Sequence, residues 1–492
     1  MRRLILCLML LVTPAFAATF TNSTVTDYHG APDRAGNYIV SSLNWQSAMA
    51  VRRDRGFDGT IDGHVYTQPL YWVPPGAPHG MIITATESNI VYALDAANGR
   101  AIWHTQLGPP VRSAALPCGN IGPLGITGTP VIDTASGSVF LDAMVDSGGR
   151  PQHLVFGLRL ADGGVLPGYP INVAAGLFAH GISFNPTVQN ERGALSLLNG
   201  RIFVPFGGHW GDCGNYHGVV AAISVNPPAV VAGWQTRALK GGIWAPAGLS
   251  QADGSLYFTT GNTENAQGWQ DGEGVFRVGP DLAHRTDARD FFAPSDWQQL
   301  DGRDLDLSGV TPLPLDVPGS SRPLMLALGK DGKAYLLDRA NLGGIGGALA
   351  VRRASSGQII TTATTYNVGN ASFVAYQANG AMCPDGKYVT GIAAIAVTAD
   401  QKLSPAWCSP MNGRGAPIVT TTDGRSDPIV WAVGAEGDDR LHGFRGSTGE
   451  EIYGGSGAND RMPGLRHFAT VLVAGGRMYI AGDGRIYAFD LP

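Results

Sequence analysis

Four short stretches of this sequence carry side chains whose types and spacing could do chemistry. Trp244 stands in Gly241-Gly-Ile-Trp244, and Asn262 closes Thr259-Thr-Gly-Asn262 eighteen residues later. Asp304 and Asp306 alternate in Asp304-Leu-Asp-Leu-Ser-Gly-Val310, and Lys330 opens the turn Lys330-Asp-Gly332. An indole offers a flat face to a planar ring. An ammonium offers a partner to an anion, and Asn262, Asp212 and Asp306 offer the hard oxygens that suit Ca²⁺. Asp306, or failing it Asp304, has the chemistry of a general base. Each residue also has a plain structural account. Trp244 would serve in a core, Asn262 in an Asx turn, the aspartates in turns, and Lys330 as a solvated hairpin charge.

Two other constellations are weaker. His209, Asp212, Cys213 and His217 would bind a transition metal only if Cys213 were a free thiol. Asp271, Glu273 and Asp287 lie near Trp269 without the pairing that glycoside hydrolysis needs. The sequence has no GxSxG, HExxH or phosphate-loop motif.

The elements that must position these groups are β-strands. The clearest unit runs from Met81 to Trp103: a strand, a tight turn, a second strand ending in Leu94-Asp95, an Asn-Gly turn, and a strand carrying Trp103. Weaker copies start near Gly128, Gly200, Gly254, Gly332, Gly391, Ile429 and Gly476, which makes about eight units. With 69 glycines, 32 prolines and only 15% charged residues, the chain is too turn-rich for a helix bundle and too apolar for disorder. These features predict an all-β fold, a single β-propeller of about eight four-stranded blades. The last unit stops at Asp490-Leu-Pro492, one strand short. An N-terminal strand between Asn37 and Trp45 is therefore expected to close the ring and cover the open edge.

Residues 1–17 read as a secretory signal: Arg2 and Arg3, an apolar run from Leu4 to Val12, and Ala15-Phe-Ala17 at the cleavage site. Residues 18–492 would then form one propeller domain, periplasmic or secreted, with no membrane span. Four cysteines remain. An even count in an oxidising compartment favours two disulfides; spacing does not settle their connectivity, and Cys118–Cys213 with Cys383–Cys408 are the expected pairs. No CxxCH motif for covalent haem is present. The net charge of −5 gives no reason to expect nucleic-acid binding.

The Tyr92-Ala-Leu-Asp…Asn-Gly…Trp103 unit resembles the repeat of pyrroloquinoline quinone (PQQ) proteins, in which the closing tryptophan packs between blades. The stretch from Gly241 to Asn262 resembles the part of quinoprotein alcohol dehydrogenases that carries the cofactor floor and a calcium ligand. The resemblance implies that Trp244 lies against PQQ and that Asn262 binds Ca²⁺. The segment Asp304–Val310 resembles the one that holds the catalytic aspartate, which would be Asp306. Gly329-Lys-Asp-Gly…Leu-Asp-Arg339 resembles the strand whose basic residue, here Lys330, contacts the quinone oxygens. The three pieces occur in family order. Departures are clear as well. No adjacent cysteines exist to cover the cofactor, and the Gly208–Gly218 segment offers Asp212 where the family has a calcium-binding glutamate.

The resemblance implies an exported dehydrogenase that oxidises an alcohol or sugar hydroxyl with PQQ and Ca²⁺ and passes electrons to a separate carrier. The alternative is a non-catalytic propeller that binds protein or glycan partners in the periplasm or cell envelope. An enzyme should gather Trp244, Asn262, Asp306 and Lys330 at the axial funnel, whereas a scaffold need not.

Overall fold

The computed structural model describes residues 24–455, 457 and 460–492, so the signal segment 1–17 lies outside the described residues. Eight antiparallel four-stranded sheets follow one another along the chain. Blades 1 to 7 occupy 70–106, 131–172, 196–235, 250–293, 313–353, 364–410 and 418–453; blade 8 takes 471–490 and borrows its fourth strand. Every repeat found in the sequence falls in its own blade, in order. Helix is confined to short turns among the described residues, and none of those helices is long and apolar enough to cross a membrane.

The second and third strands of each blade are almost wholly buried, as in Met81–Ala85 and Ile429–Val433. They pack face to face with the neighbouring blades, and the core is accordingly divided into inter-blade clusters. Tryptophans bolt the seams. Trp103 of blade 1 donates its indole N–H to the Leu160 carbonyl of blade 2 (2.9 Å), and Trp407 of blade 6 donates to Gly446 O of blade 7 (2.7 Å).

The ring is closed by an N-terminal strand, but from a different segment than the sequence suggested. Arg52–Arg53 pairs antiparallel with Arg485–Asp490, and the next amide, Asp54 N–H, donates to Ala488 O (2.9 Å). Asn37–Ile39 instead adds in parallel to Ile418–Thr421, the first strand of blade 7. The physical reason is burial. Tyr38 and Val40 are apolar and fully enclosed, which suits a core position, whereas an outermost strand faces water and accommodates two arginines.

Both expected disulfides are present. Cys118–Cys213 joins the connection between blades 1 and 2 to the second hairpin of blade 3, and Cys383–Cys408 staples blade 6. Cys213 is thereby removed as a thiolate ligand, and His217 spends Nδ1 on Thr236 O (2.8 Å), so the transition-metal cluster does not form.

Candidate functional site

Connections on one face of the ring surround a cavity of about 580 Å³ at the axis. Trp244 arrives between blades 3 and 4, and Asp304 and Asp306 between blades 4 and 5. Lys330 comes from the central hairpin of blade 5. All four line the cavity; Asn262, from the central hairpin of blade 4, supports it from behind through its main chain.

Asp306 is the hub. Its Oδ1 accepts the Asn262 backbone N–H (3.0 Å), while Oδ2 accepts the Trp244 indole N–H (3.2 Å) and lies 2.6 Å from Lys330 Nζ. Lys330 also reaches Asp304 Oδ1 (2.8 Å) and sits 5.2 Å from the centre of the Trp244 ring. The Asp306 side chain is 5% exposed and that of Asp304 66%, which separates the enclosed carboxylate from the solvated one. Burial pushes the Asp306 carboxyl above the usual carboxylate range and outweighs the neighbouring ammonium. Burial works against the charge on Lys330, but the two aspartates more than offset it and hold its pKa above the ordinary lysine value.

Glycines make this convergence possible. A Cβ on Gly261 would stand 3.0 Å from Asp306 Oδ1, and one on Gly309 would press to 3.2 Å from the Trp244 ring. Glu273, weighed in the sequence only as one of a scattered carboxylate group, is the brace. Its backbone N–H donates to Gly261 O (3.0 Å), and its carboxylate accepts the Leu307 N–H (2.7 Å), one residue beyond Asp306. Burial, and then Asp306, raise its pKa well above the usual carboxylate range. The sequence signal was weak because the brace joins segments more than thirty residues apart. Asp271, its former companion, is occupied by Arg237 (2.8 Å) and His284 (3.0 Å).

Across the axis the wall is cationic and aromatic: Arg192, Arg414, His467 and Phe468 come from connections between other blades. No short motif announces them, since each stands alone in its loop. His467 gives Nδ1 to Glu436 (2.6 Å), and Arg192 lies over the Phe468 ring at 6.0 Å.

The indole face of Trp244 and the ammonium at its edge suit a planar, anionic ring system. The cavity does not suit calcium as the donors are arranged. Asp306 has both oxygens bonded, Asp212 accepts from the Tyr216 hydroxyl, and no group of three or more metal-ligating acids, histidines or cysteines gathers among the described residues. Lys330 holds the charge position against Asp306 that a cation would otherwise take.

No protein-family model matches the chain, and no curated protein matches it at the level of sequence. Solved structures do share its fold. A quinohemoprotein alcohol dehydrogenase from Pseudomonas putida aligns over 95% of this chain and 80% of its own, with TM-score 0.66 and 15% identity. Another, from Comamonas testosteroni, gives 95%, 80%, 0.64 and 14%, and a europium-containing methanol dehydrogenase gives 94%, 90%, 0.64 and 14%. The class defined is thus an eight-bladed propeller of the quinoprotein dehydrogenase shape. At these identities the likeness speaks to fold, and activity has to be argued from the site.

Proposed function

We propose that the chain is an exported PQQ-dependent dehydrogenase that oxidises an alcohol or sugar hydroxyl and delivers electrons to a separate acceptor. One observation carries this reading: a buried carboxylate, Asp306, faces the axial cavity with Lys330, Trp244 and Asn262 converging on it. The similarity in shape to quinoprotein dehydrogenases supports it.

In this scheme Trp244 would offer its face to the cofactor rings, and Lys330 would meet their oxygens. The quinone, when bound, supplies the two-electron acceptor. Asp306, whose ionised form Lys330 and two N–H donors favour against burial, takes the substrate hydroxyl proton as general base. Asp304, exposed at the mouth, orients Lys330. Calcium was expected to be held by Asn262, Asp212 and Asp306; the present donors do not assemble a site for it, and no step is routed through it. The signal-like pattern of residues 1–17 supports export to the periplasm or beyond.

The test is a titration of purified protein with PQQ, with calcium and with chelator, followed by dye-linked oxidation of alcohols and sugars. Saturable binding lost in Trp244→Ala, with turnover lost in Asp306→Asn, establishes the enzyme. If PQQ does not bind, the non-catalytic scaffold is left.

A further inference from the structure

The loop that departs most from the family pattern, His209–Gly214, is built in an unusual way. Trp210 at its tip is 67% exposed, yet it lines the mouth of the axial cavity. An indole there presents a broad apolar face beside the polar wall of the cavity. The loop beneath is pinned from three sides. Cys213 is joined to Cys118, the Lys240 ammonium donates to the carbonyls of Asp212 and Gly214 (the latter at 2.6 Å), and Tyr216 donates to the Asp212 carboxylate. Asp212 itself adopts a left-handed conformation (φ 47°) to make the turn. An exposed aromatic on a braced loop is a preorganised contact, with little ordering entropy left to lose on binding.

The cavity below Trp210 supplies a second recognition element. Arg192 is partly buried and makes no side-chain hydrogen bond or ion pair to any described residue, although Tyr66 and Glu87 act on its charge; the exposed Arg414 side chain is likewise without an acceptor. The buried Arg34 and Arg339 and the partly buried Arg277, by contrast, are paired with carboxylates. A half-buried guanidinium facing a cavity with all its donors free is arranged for a planar anion, and carboxylate matches its fork.

The geometry points to a carboxylate-bearing sugar ring as the ligand of this mouth: Trp210 stacks on the apolar C–H face of the ring, and Arg192 with Arg414 take the carboxylate. That this ligand is the substrate rests on the dehydrogenase reading; the binding itself does not.

Methyl β-D-glucuronide and methyl β-D-glucoside share one ring and differ in charge, so they are the probes. They are titrated into the full mature chain without PQQ, by calorimetry and tryptophan fluorescence. The glucuronide is expected to bind at least tenfold more tightly than the glucoside. Trp210→Ala should weaken it on the order of tenfold and abolish the fluorescence change; Arg192→Gln and Arg414→Gln should bring it down to the level of the glucoside. Equal binding of the two probes, or wild-type affinity in Trp210→Ala, overturns the proposal. PQQ is titrated into the same arginine variants. If its affinity collapses while that of the glucuronide is unchanged, the arginines serve the cofactor and the proposal fails. If PQQ does not bind wild type but the glucuronide does, the dehydrogenase reading falls and the recognition site stands.

Discussion

At the scale of single residues, the site is organised by competition for one carboxylate. Asp306 is buried, which favours its protonated form, and Lys330 is what opposes this. Removing the ammonium in Lys330→Ala should therefore cut kcat on the order of a hundredfold, the loss expected when one preorganised charge is taken from a reacting centre. The remaining activity should need higher pH, since the base must ionise without its cation; pH–rate profiles of the two proteins check the sign. Glu87 offers a cleaner electrostatic test away from this chemistry. It is fully buried, accepts the Gly125 N–H at 2.7 Å through Oε2 and leaves Oε1 unpartnered. Burial raises its pKa from the ordinary 4.5 to about 7. The folded state thus binds a proton that the unfolded chain has released, and stability falls as pH rises from about 4.5 to 7. Glu87→Gln keeps the acceptor and removes the titration. It should match wild type near pH 4 and exceed it by roughly 3 kcal/mol at pH 8, measured by denaturant unfolding at the two pH values.

At the scale of elements, what the sequence made legible were the features written locally. Hairpins such as Met81–Asp95 announce themselves by alternation and turn residues, so all eight blades could be placed. Trp244, Asn262, Asp306 and Lys330 were expected because each sits in a recognisable stretch; the structure places Trp244, Asp306 and Lys330 around one cavity, with the Asn262 main chain behind it. The brace at Glu273 and the cationic wall of Arg192 and Arg414 were not legible, since they depend on which connections meet at the axis. The calcium set was read from oxygen-bearing residue types and from the resemblance; Asp212 Oδ1 accepts from Tyr216, and both oxygens of Asp306 are engaged by Lys330, Trp244 and Asn262. The disulfides also act at this scale. Cys118–Cys213 spans 95 residues and Cys383–Cys408 spans 25, so loop-closure entropy assigns them about 4.7 and about 3.5 kcal/mol. Replacing the first pair with serines should lower the unfolding midpoint more than replacing the second, as read by calorimetry.

At the scale of the whole molecule, a ring of blades is only as secure as its seam. Blade 8 ends at Asp490, and its third strand would be an open edge without Arg52–Arg53. Such an edge presents unpaired N–H and C=O groups to any other strand. The closing contact is small, so each main-chain bond matters: Asp54 N–H to Ala488 O extends the pairing, and Arg477 anchors both sides through Asp54 (3.2 Å) and Asp490 (3.0 Å). Two substitutions separate backbone from side chain. Asp54→Pro deletes the donor and should destabilise by about 3 kcal/mol, while Asp54→Asn keeps the amide and loses a surface ion pair worth no more than about 1 kcal/mol. Chemical denaturation measures the difference, and sedimentation should show concentration-dependent oligomers for the proline variant alone. Equal behaviour of the two would mean that the ring is held by its inter-blade tryptophans and core, with the N-terminal strand a passive cover. Oligomers confined to Asp54→Pro would instead show that closure covers the open edge of blade 8, because a sprung seam exposes the unpaired N–H and C=O groups of Arg485–Asp490 to other strands.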